Sequence, residues 1–285
     1  MMSITLSRRL RLAPVALAAA LGAAMPLADG AALAAQSTPA SSTSRVDLFT
    51  PADAGLAGGF VGLLLLARPL DVKLAREIRR EPLQNNDLIR RGAAFFRFMG
   101  DPGPAIIGTS MYAVGRLSGS ERLADLGLHG TQSILVGHVI VGTLKGVFGR
   151  ARPYADSVNP DPNNYKLFRG FGGSDKYRSF PSGHTLGGFA AAAAVTAETA
   201  RWWPGSQWYI GPIMYGGATF VGMSRMYENK HWASDVIMGA AIGTFTGLKV
   251  VRFHHKVQPG NKLDRWLLGT SMDANGMRLI IAPTR

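Results

Sequence analysis

A chain of 285 residues with 31 Lys and Arg against 18 Asp and Glu carries a formal charge of +13, and such a surface suits anionic partners: phospholipid headgroups, lipopolysaccharide or phosphorylated solutes. Cysteine is absent, which excludes disulfide staples, thiol nucleophiles and cysteine metal sites. No nucleic-acid recognition motif accompanies the charge, so nucleic acid is not expected as a partner.

Residues 1–35 have the layout of an export signal, with Arg8, Arg9 and Arg11 as the basic head, an apolar stretch from Ala13 to Leu27, and Ala32-Leu33-Ala34 as the small-residue cleavage pattern. Cleavage is expected after Ala34 or Ala35, giving an exported, periplasmic protein able to associate with a membrane. Arg8, Arg9, Arg11 and Asp29 account for two of the thirteen net positive charges, so +11 remains on the mature chain. Residues 36–50, rich in Ser, Thr, Pro and Ala at their start, read as a flexible leader. The remaining length is enough for one domain, placed at 51–258, with an extension at 259–285.

The apolar run Ala54–Leu70 has about 14 clean apolar residues against the ~20 of a span, so burial in a bundle is preferred over a membrane-dipping helix. Leu70–Arg91 is highly charged and is expected as an exposed amphipathic helix broken at Pro82, the candidate for contact with an anionic bilayer. After a turn at Asp101–Pro104, helices are predicted over Ala105–Leu117 and Arg122–Phe148. His129 and His138 in the second have no carboxylate or cysteine at ligand spacing and read as core histidines, not metal ligands. Tyr154–Phe180 is a long polar loop expected to frame a pocket mouth. Further helices are predicted over Leu186–Ala200, Trp208–Met223 and Ala233–Val251. Trp202, Trp203, Trp208 and Tyr209 fit a membrane interface and a helix corner equally. Gly239, Ala240, Ala241, Gly243 and Gly247 permit close helix approach. Arg252, His254 and His255 complement the last helix's C-terminus, and Asn275-Gly276 marks a small terminal hairpin.

Three stretches carry chemistry. Lys145 and Arg152 stand six residues apart at the foot of an apolar segment that Pro153 turns, where two cations can also serve as helix C-terminal or membrane-edge charges. Ser182 and Gly183 open an Ala-rich helix, where unpaired amides and the helix dipole favour an anion, and His184 is a proton donor beside it. In the third stretch Arg225 offers a guanidinium fork. If the chain is helical from His231 onward, His231 and Asp235 share a face, so that the carboxylate holds one ring nitrogen and leaves the other free.

Lys, six residues, Arg-Pro; Pro-Ser-Gly-His; and Ser-Arg, five residues, His, three residues, Asp occur here in order from Lys145 to Asp235. The pattern resembles the type 2 phosphatidic acid phosphatase superfamily, which also includes class A acid phosphatases and vanadium haloperoxidases. The resemblance implies a mostly α, compact helical bundle without metal or other cofactor. It assigns His231 as nucleophile forming a phosphohistidine, Asp235 as its orienting acid and His184 as the acid and base. Lys145, Arg152, Ser182, Gly183 and Arg225 become the phosphate ligands. Three functions fit: a lipid phosphatase acting on phosphatidic acid, an isoprenyl diphosphate or lipid A; a periplasmic acid phosphatase for soluble phosphomonoesters, favoured by the lack of a clean apolar span; and a vanadate-dependent haloperoxidase, which the short chain disfavours.

Overall fold

The computed structural model describes residues 46–156 and 158–259, with the backbone of 270–273 and 276–279; the export signal, most of the leader and the remainder of the extension lie outside the described residues. The described domain is helical. In chain order it comprises α1 Pro51–Ala67, a 3-10 turn Arg68–Leu70, α2 Asp71–Ile78, the single turn α3 Glu81–Gln84, α4 Asp87–Phe98, α5 Gly103–Ser118 and α6 Glu121–Phe148. After the loop come α7 Gly183–Trp202, α8 Gln207–Tyr227 and α9 Ala233–Arg252, which runs on as a π-helical turn Phe253–Val257.

The bundle is built around α7, which packs against α6, α8 and α9, while α5 backs α6 and α4 backs α8. Composition explains the choice. The Ala-rich segment presents little bulk, so Leu186, Phe189, Ala190, Ala192, Ala193 and Ala194 are all fully buried. On α9, glycines one turn apart meet it: a Cβ on Gly239 would stand 2.4 Å from the Ser182 carbonyl oxygen, and one on Gly243 2.5 Å from that of Leu186. The backbones touch where side chains would hold them apart.

Several elements depart from the sequence expectations. The stretch expected to be buried as α1 is largely uncovered: Leu65 and Leu66 are 67% and 71% exposed, and Asp53, Phe60 and Ala67 are its buried residues. Because α1 continues through the 3-10 turn into α2, Pro51–Ile78 is long and apolar enough to cross a membrane, as are Glu121–Ala155 and Ala233–Val257 by length and composition. Counting uninterrupted apolar residues hid this, since helix continuity carries a span past isolated polar ones. Pro82 does not break a helix. It lies in the first turn of α3, where a missing amide costs nothing, and the break falls at Arg79–Arg80. Asp71, Leu74 and Ile78 face the core, so the charged segment is not simply a surface helix. Trp203, Trp208 and Tyr209 are more than half exposed, as an interfacial position requires and a packed corner does not. His254 and His255 turn inward instead of solvating the end of α9: His254 stacks on His129, and His255 bonds Glu198.

Thr270–Asp273 runs antiparallel to Gly276–Leu279, with Met272 opposite Met277. Two four-residue strands form too small a ladder to stand by themselves, and the bundle does not depend on them.

The glycine contacts predict a contrast. Gly243→Ala should cost roughly 1–3 kcal/mol, because the new methyl meets backbone that cannot rotate away. Gly217→Ala on α8, where a Cβ meets nothing within 4 Å, should be neutral or stabilise by up to about 1 kcal/mol. Thermal unfolding of both variants in detergent checks the pair.

Candidate active site

The three motif stretches meet at one end of the bundle, where α6 and α8 end and α7 and α9 begin. Lys145 occupies the last turn of α6, Arg225 the last turn of α8, Gly183 and His184 the first turn of α7, and Asp235 the first turn of α9. Main-chain hydrogen bonds join them. The Ser182 amide donates to the Asp235 carbonyl at 3.0 Å, and the Ser179 amide to the Arg150 carbonyl at 3.1 Å. The Trp232 indole donates to the Ala151 carbonyl at 2.9 Å. Two of these bonds are backbone to backbone and the third comes from the Trp232 side chain, so the site is not assembled by side-chain reach alone.

The long loop packs onto the same end. Gly170 lies where any Cβ would be 1.9 Å from the Lys145 carbonyl oxygen, and Gly146 makes room for the Phe171 ring. The Arg152 amide donates to the Lys176 carbonyl at 2.8 Å and the Ala151 amide to that of Asn164 at 2.9 Å. Asn229 takes a left-handed conformation at φ 58°, which Asn tolerates better than most residues. It reverses the chain after α8, and the Lys230 amide then donates to the Arg225 carbonyl at 3.0 Å.

His231 comes just after that reversal. Its Nε2 lies 3.4 Å from Arg152 Nη1, and its Nδ1 lies 3.6 Å from Asp235 Oδ2, beyond hydrogen-bond length. The pairing does not arise from helical spacing, because α9 begins at Ala233 and His231 precedes it. Asp235 sits at the third helical position and folds its carboxylate back over the helix start, where Oδ2 accepts from the Trp232 amide at 2.9 Å and the Ser179 hydroxyl at 2.5 Å. Its other oxygen accepts from Arg150 at 2.5 Å.

The cations have lodgings in the free protein. Lys145 Nζ donates to the Arg178 carbonyl at 2.9 Å. Arg152 donates through Nε to the Asp175 carbonyl at 2.8 Å and through Nη2 to the Asp175 carboxylate at 2.6 Å. Arg225 pairs with Glu228, which Arg97 also approaches at 3.3 Å, and Arg225 Nε is buried with no hydrogen-bond partner among the described residues. Gly183 lies against Lys145, a Cβ there standing 4.0 Å from the lysine Cε. Ser182 departs from its expected part: its amide is taken by Asp235, and its wholly buried hydroxyl caps α7, accepting from the Thr185 hydroxyl at 2.8 Å. The first-turn amides of α7 open to an anion are therefore those of Gly183 and His184, since the Thr185 amide donates to the Ser182 hydroxyl.

Both imidazoles are held neutral. Burial drives His184 down to about 3, with Arg225, Lys145, His138 and Arg152 pushing the same way. Burial also places His231 well below the ordinary histidine range; Asp235 opposes this, while Lys145 and Arg152 add to it. The two rings thus share Lys145 and Arg152 as electrostatic neighbours. Fixed positive charge facing neutral imidazoles is suited to a tetrahedral oxyanion.

The sequence model of the PAP2 superfamily matches residues 129–259, which contain all eight motif residues. This segment, a little under half of the chain, is similar to the PAP2 superfamily. Among similar proteins, a lipid A 1-phosphatase of Porphyromonas gingivalis is 34% identical over 114 residues, 36% of this chain and 25% of that protein. An undecaprenyl-diphosphatase of Sulfolobus acidocaldarius is 26% identical over 153 residues, 52% of this chain and 64% of that protein. The chain therefore spans from a quarter to less than two thirds of the length of these relatives. A crystal structure of a transmembrane PAP2 type phosphatidylglycerolphosphate phosphatase from Bacillus subtilis superposes with a TM-score of 0.51 at 18% identity, covering 73% of this chain and 98% of that one. It shares the fold.

Within the matched segment, the residue most conspicuously missed from sequence is Arg150. It is wholly buried, and besides Asp235 its Nη1 donates to the Ser234 hydroxyl at 2.8 Å, Nη2 to Asp71 at 2.8 Å and Nε to the Pro162 carbonyl at 2.9 Å. Asp71 reaches this cluster from α2, across 163 residues, and accepts from the Ser234 amide and hydroxyl. The signal available was Arg150's place between Lys145 and Arg152; nothing local pointed to Asp71. Ser179, Asp175, Arg97 and Glu228 were likewise unassigned.

A bound oxyanion adds negative charge beside His184 and raises its pKa, so binding takes up a proton. Sulfate keeps its charge above about pH 3, and its affinity should fall as pH rises from about 3, the free His184 value, through the raised value of the bound state. His184→Gln should flatten that dependence. Calorimetric titration at several pH values measures it, and a pH-independent wild-type affinity is the contrary outcome.

Proposed function

We propose that this protein is a metal-independent lipid phosphatase working through a phosphohistidine. One observation carries the reading: two neutral imidazoles share Lys145 and Arg152 as electrostatic neighbours, with Arg225 acting on His184, at the end of a bundle whose outer helices leave large apolar side chains uncovered. The names of the relatives, lipid A 1-phosphatase, undecaprenyl-diphosphatase and phosphatidylglycerolphosphate phosphatase, support a phosphorylated lipid as substrate. The expected export signal supports an exported, membrane-associated protein.

In this mechanism Lys145, Arg152, Arg225 and the α7 amides of Gly183 and His184 bind the equatorial phosphate oxygens, and the Ser182 hydroxyl turns its proton toward them. Arg152 exchanges the Asp175 carboxylate for phosphate, and Arg225 does the same with Glu228. Nε2 of neutral His231 attacks phosphorus in line; the P–N bond forms as the bond to the leaving oxygen breaks. Asp235 receives the Nδ1 proton in a hydrogen bond that shortens from the resting 3.6 Å as positive charge builds on the ring. Bound phosphate offsets the cations that keep His184 neutral, and the protonated ring gives its proton to the departing alkoxide. A water then attacks phosphorus, leaving its proton on His184 while the P–N bond breaks and His231 regains its lone pair.

A lipid substrate fits the exposure of α1, α5 and α6 better than a soluble phosphomonoester does. Val61 and Leu65 on α1, Ile106 and Leu117 on α5 and Val139 on α6 are each more than half exposed, an arrangement that water disfavours and acyl chains do not.

His231→Ala should abolish acid-labile phosphate incorporation and turnover together. His184→Ala should spare substrate binding and slow phosphohistidine formation by about 10²–10⁴-fold, and Asp235→Asn should cost less than loss of His231. Rapid-quench assays with a radiolabelled lipid phosphate in mixed micelles separate these steps. A His231→Ala enzyme with wild-type turnover contradicts the nucleophile assignment. Faster hydrolysis of a small aryl phosphate than of any lipid phosphate or diphosphate contradicts the substrate class.

A further inference from the structure

A second group of functional side chains converges at the other end of the bundle. His129 of α6, Glu198 of α7 and His255 of the π-helical turn each present one ligand atom, all within 4.8 Å of one another. Glu198 Oε1 lies 2.5 Å from His129 Nδ1 and 2.8 Å from His255 Nε2. A carboxylate only accepts, so both nitrogens carry protons when nothing else is bound. Glu198 and His129 are 0% and 1% exposed. Glu198 Oε2 and His129 Nε2 are buried with no hydrogen-bond partner among the described residues. His254 stacks on His129 with ring centres 4.3 Å apart, fixing the plane of the ring. Asp125, one turn before His129 on α6, is close enough to act electrostatically on all three.

A buried carboxylate whose second oxygen accepts no hydrogen bond and has only the Arg201 guanidinium 3.7 Å away is costly in a core that only needs packing. Two imidazole nitrogens and a carboxylate oxygen, drawn from elements about 60 to 125 residues apart in sequence, form a mixed nitrogen and oxygen set of the kind that zinc-type ions prefer over calcium or magnesium. Sequence spacing did not expose the set, because the carboxylate comes from a different helix than His129.

We propose that His129, Glu198 and His255 bind a divalent transition-metal ion of the zinc type, with Asp125 or water in the fourth position. Metal–ligand lengths of about 2.0–2.2 Å place tetrahedral ligand atoms roughly 3.3–3.6 Å apart, so the present contacts open by up to about an ångström as the two shared protons leave. Lys145 lies sixteen residues beyond His129 on the same helix, a rise of about 24 Å. The ion is therefore remote from the phosphate pocket. Its effect is to fasten the C-terminal end of α9 to α6 and α7.

The experiment uses the full chain in detergent, stripped with a chelator, with sulfate present to fill the phosphate pocket. Titration with Co²⁺ should give one equivalent with the visible absorption of a four-coordinate nitrogen and oxygen site, displaced by Zn²⁺, and Zn²⁺ should raise Tm. His255→Ala should bind at least tenfold more weakly, lose the Tm response and keep phosphate release unchanged. X-ray absorption of the Zn²⁺-loaded wild type, which needs no variant to fold, should show two imidazoles. The proposal fails if wild type takes up no Co²⁺, if His255→Ala binds as wild type does, or if the zinc spectrum lacks imidazole scattering. Any of these leaves a hydrogen-bonded His–Glu–His cluster with protons only.

Discussion

Arg150, buried between Asp71 and Asp235, is the interaction on which the geometry of the phosphate site depends. A carboxylate that faces His231 from inside the protein must stay ionised and aimed, and burial alone works against both. Arg150 supplies the opposing charge at 2.5 Å from Asp235, and Asp71 balances the guanidinium from its other side at 2.8 Å. Ser179 and the Trp232 amide take the second oxygen of Asp235. Removing one member would strand buried charge, the situation in which breaking an ion pair costs most.

This cluster also joins the fold to the site. Asp71 arrives from α2, Arg150 from the end of α6, Ser179 from the loop before α7, and Ser234 and Asp235 from α9. Anchoring Asp235 therefore fixes the relative positions of helix ends that share no covalent neighbourhood. The glycine contacts of α9 on α7 serve the same end from below, since a bundle with wider helix spacing would separate the Ser182 amide from the Asp235 carbonyl. Asp175 and Glu228 occupy Arg152 and Arg225 in the free protein, so the cations are neutralised at rest without being filled by packing.

Charge along the bundle is divided between two ends. One collects Lys145, Arg152 and Arg225 around neutral imidazoles; the other collects Glu198 and Asp125 around His129 and His255. Between them the outer helices present apolar side chains, and three helical stretches are long enough for a bilayer. The bundle thus has one end rich in cations and another where Arg201 accompanies the buried Glu198.

The sequence by itself determined the helical class, the lengths of α6 and α9 to within a few residues, and the eight motif positions, because periodicity, helix-start chemistry and fixed spacings are local properties. It did not determine how His231 meets Asp235, since that contact comes from a chain reversal at Asn229 and a carboxylate folded over a helix start rather than from helical spacing. Tertiary structure alone decided that the Ser182 amide is spent on Asp235, that α1 stays uncovered, and that His129 and His255 find a carboxylate. In each case the deciding partner lies tens of residues away in sequence, and burial, which sets the value of every charge here, exists only once the helices have packed.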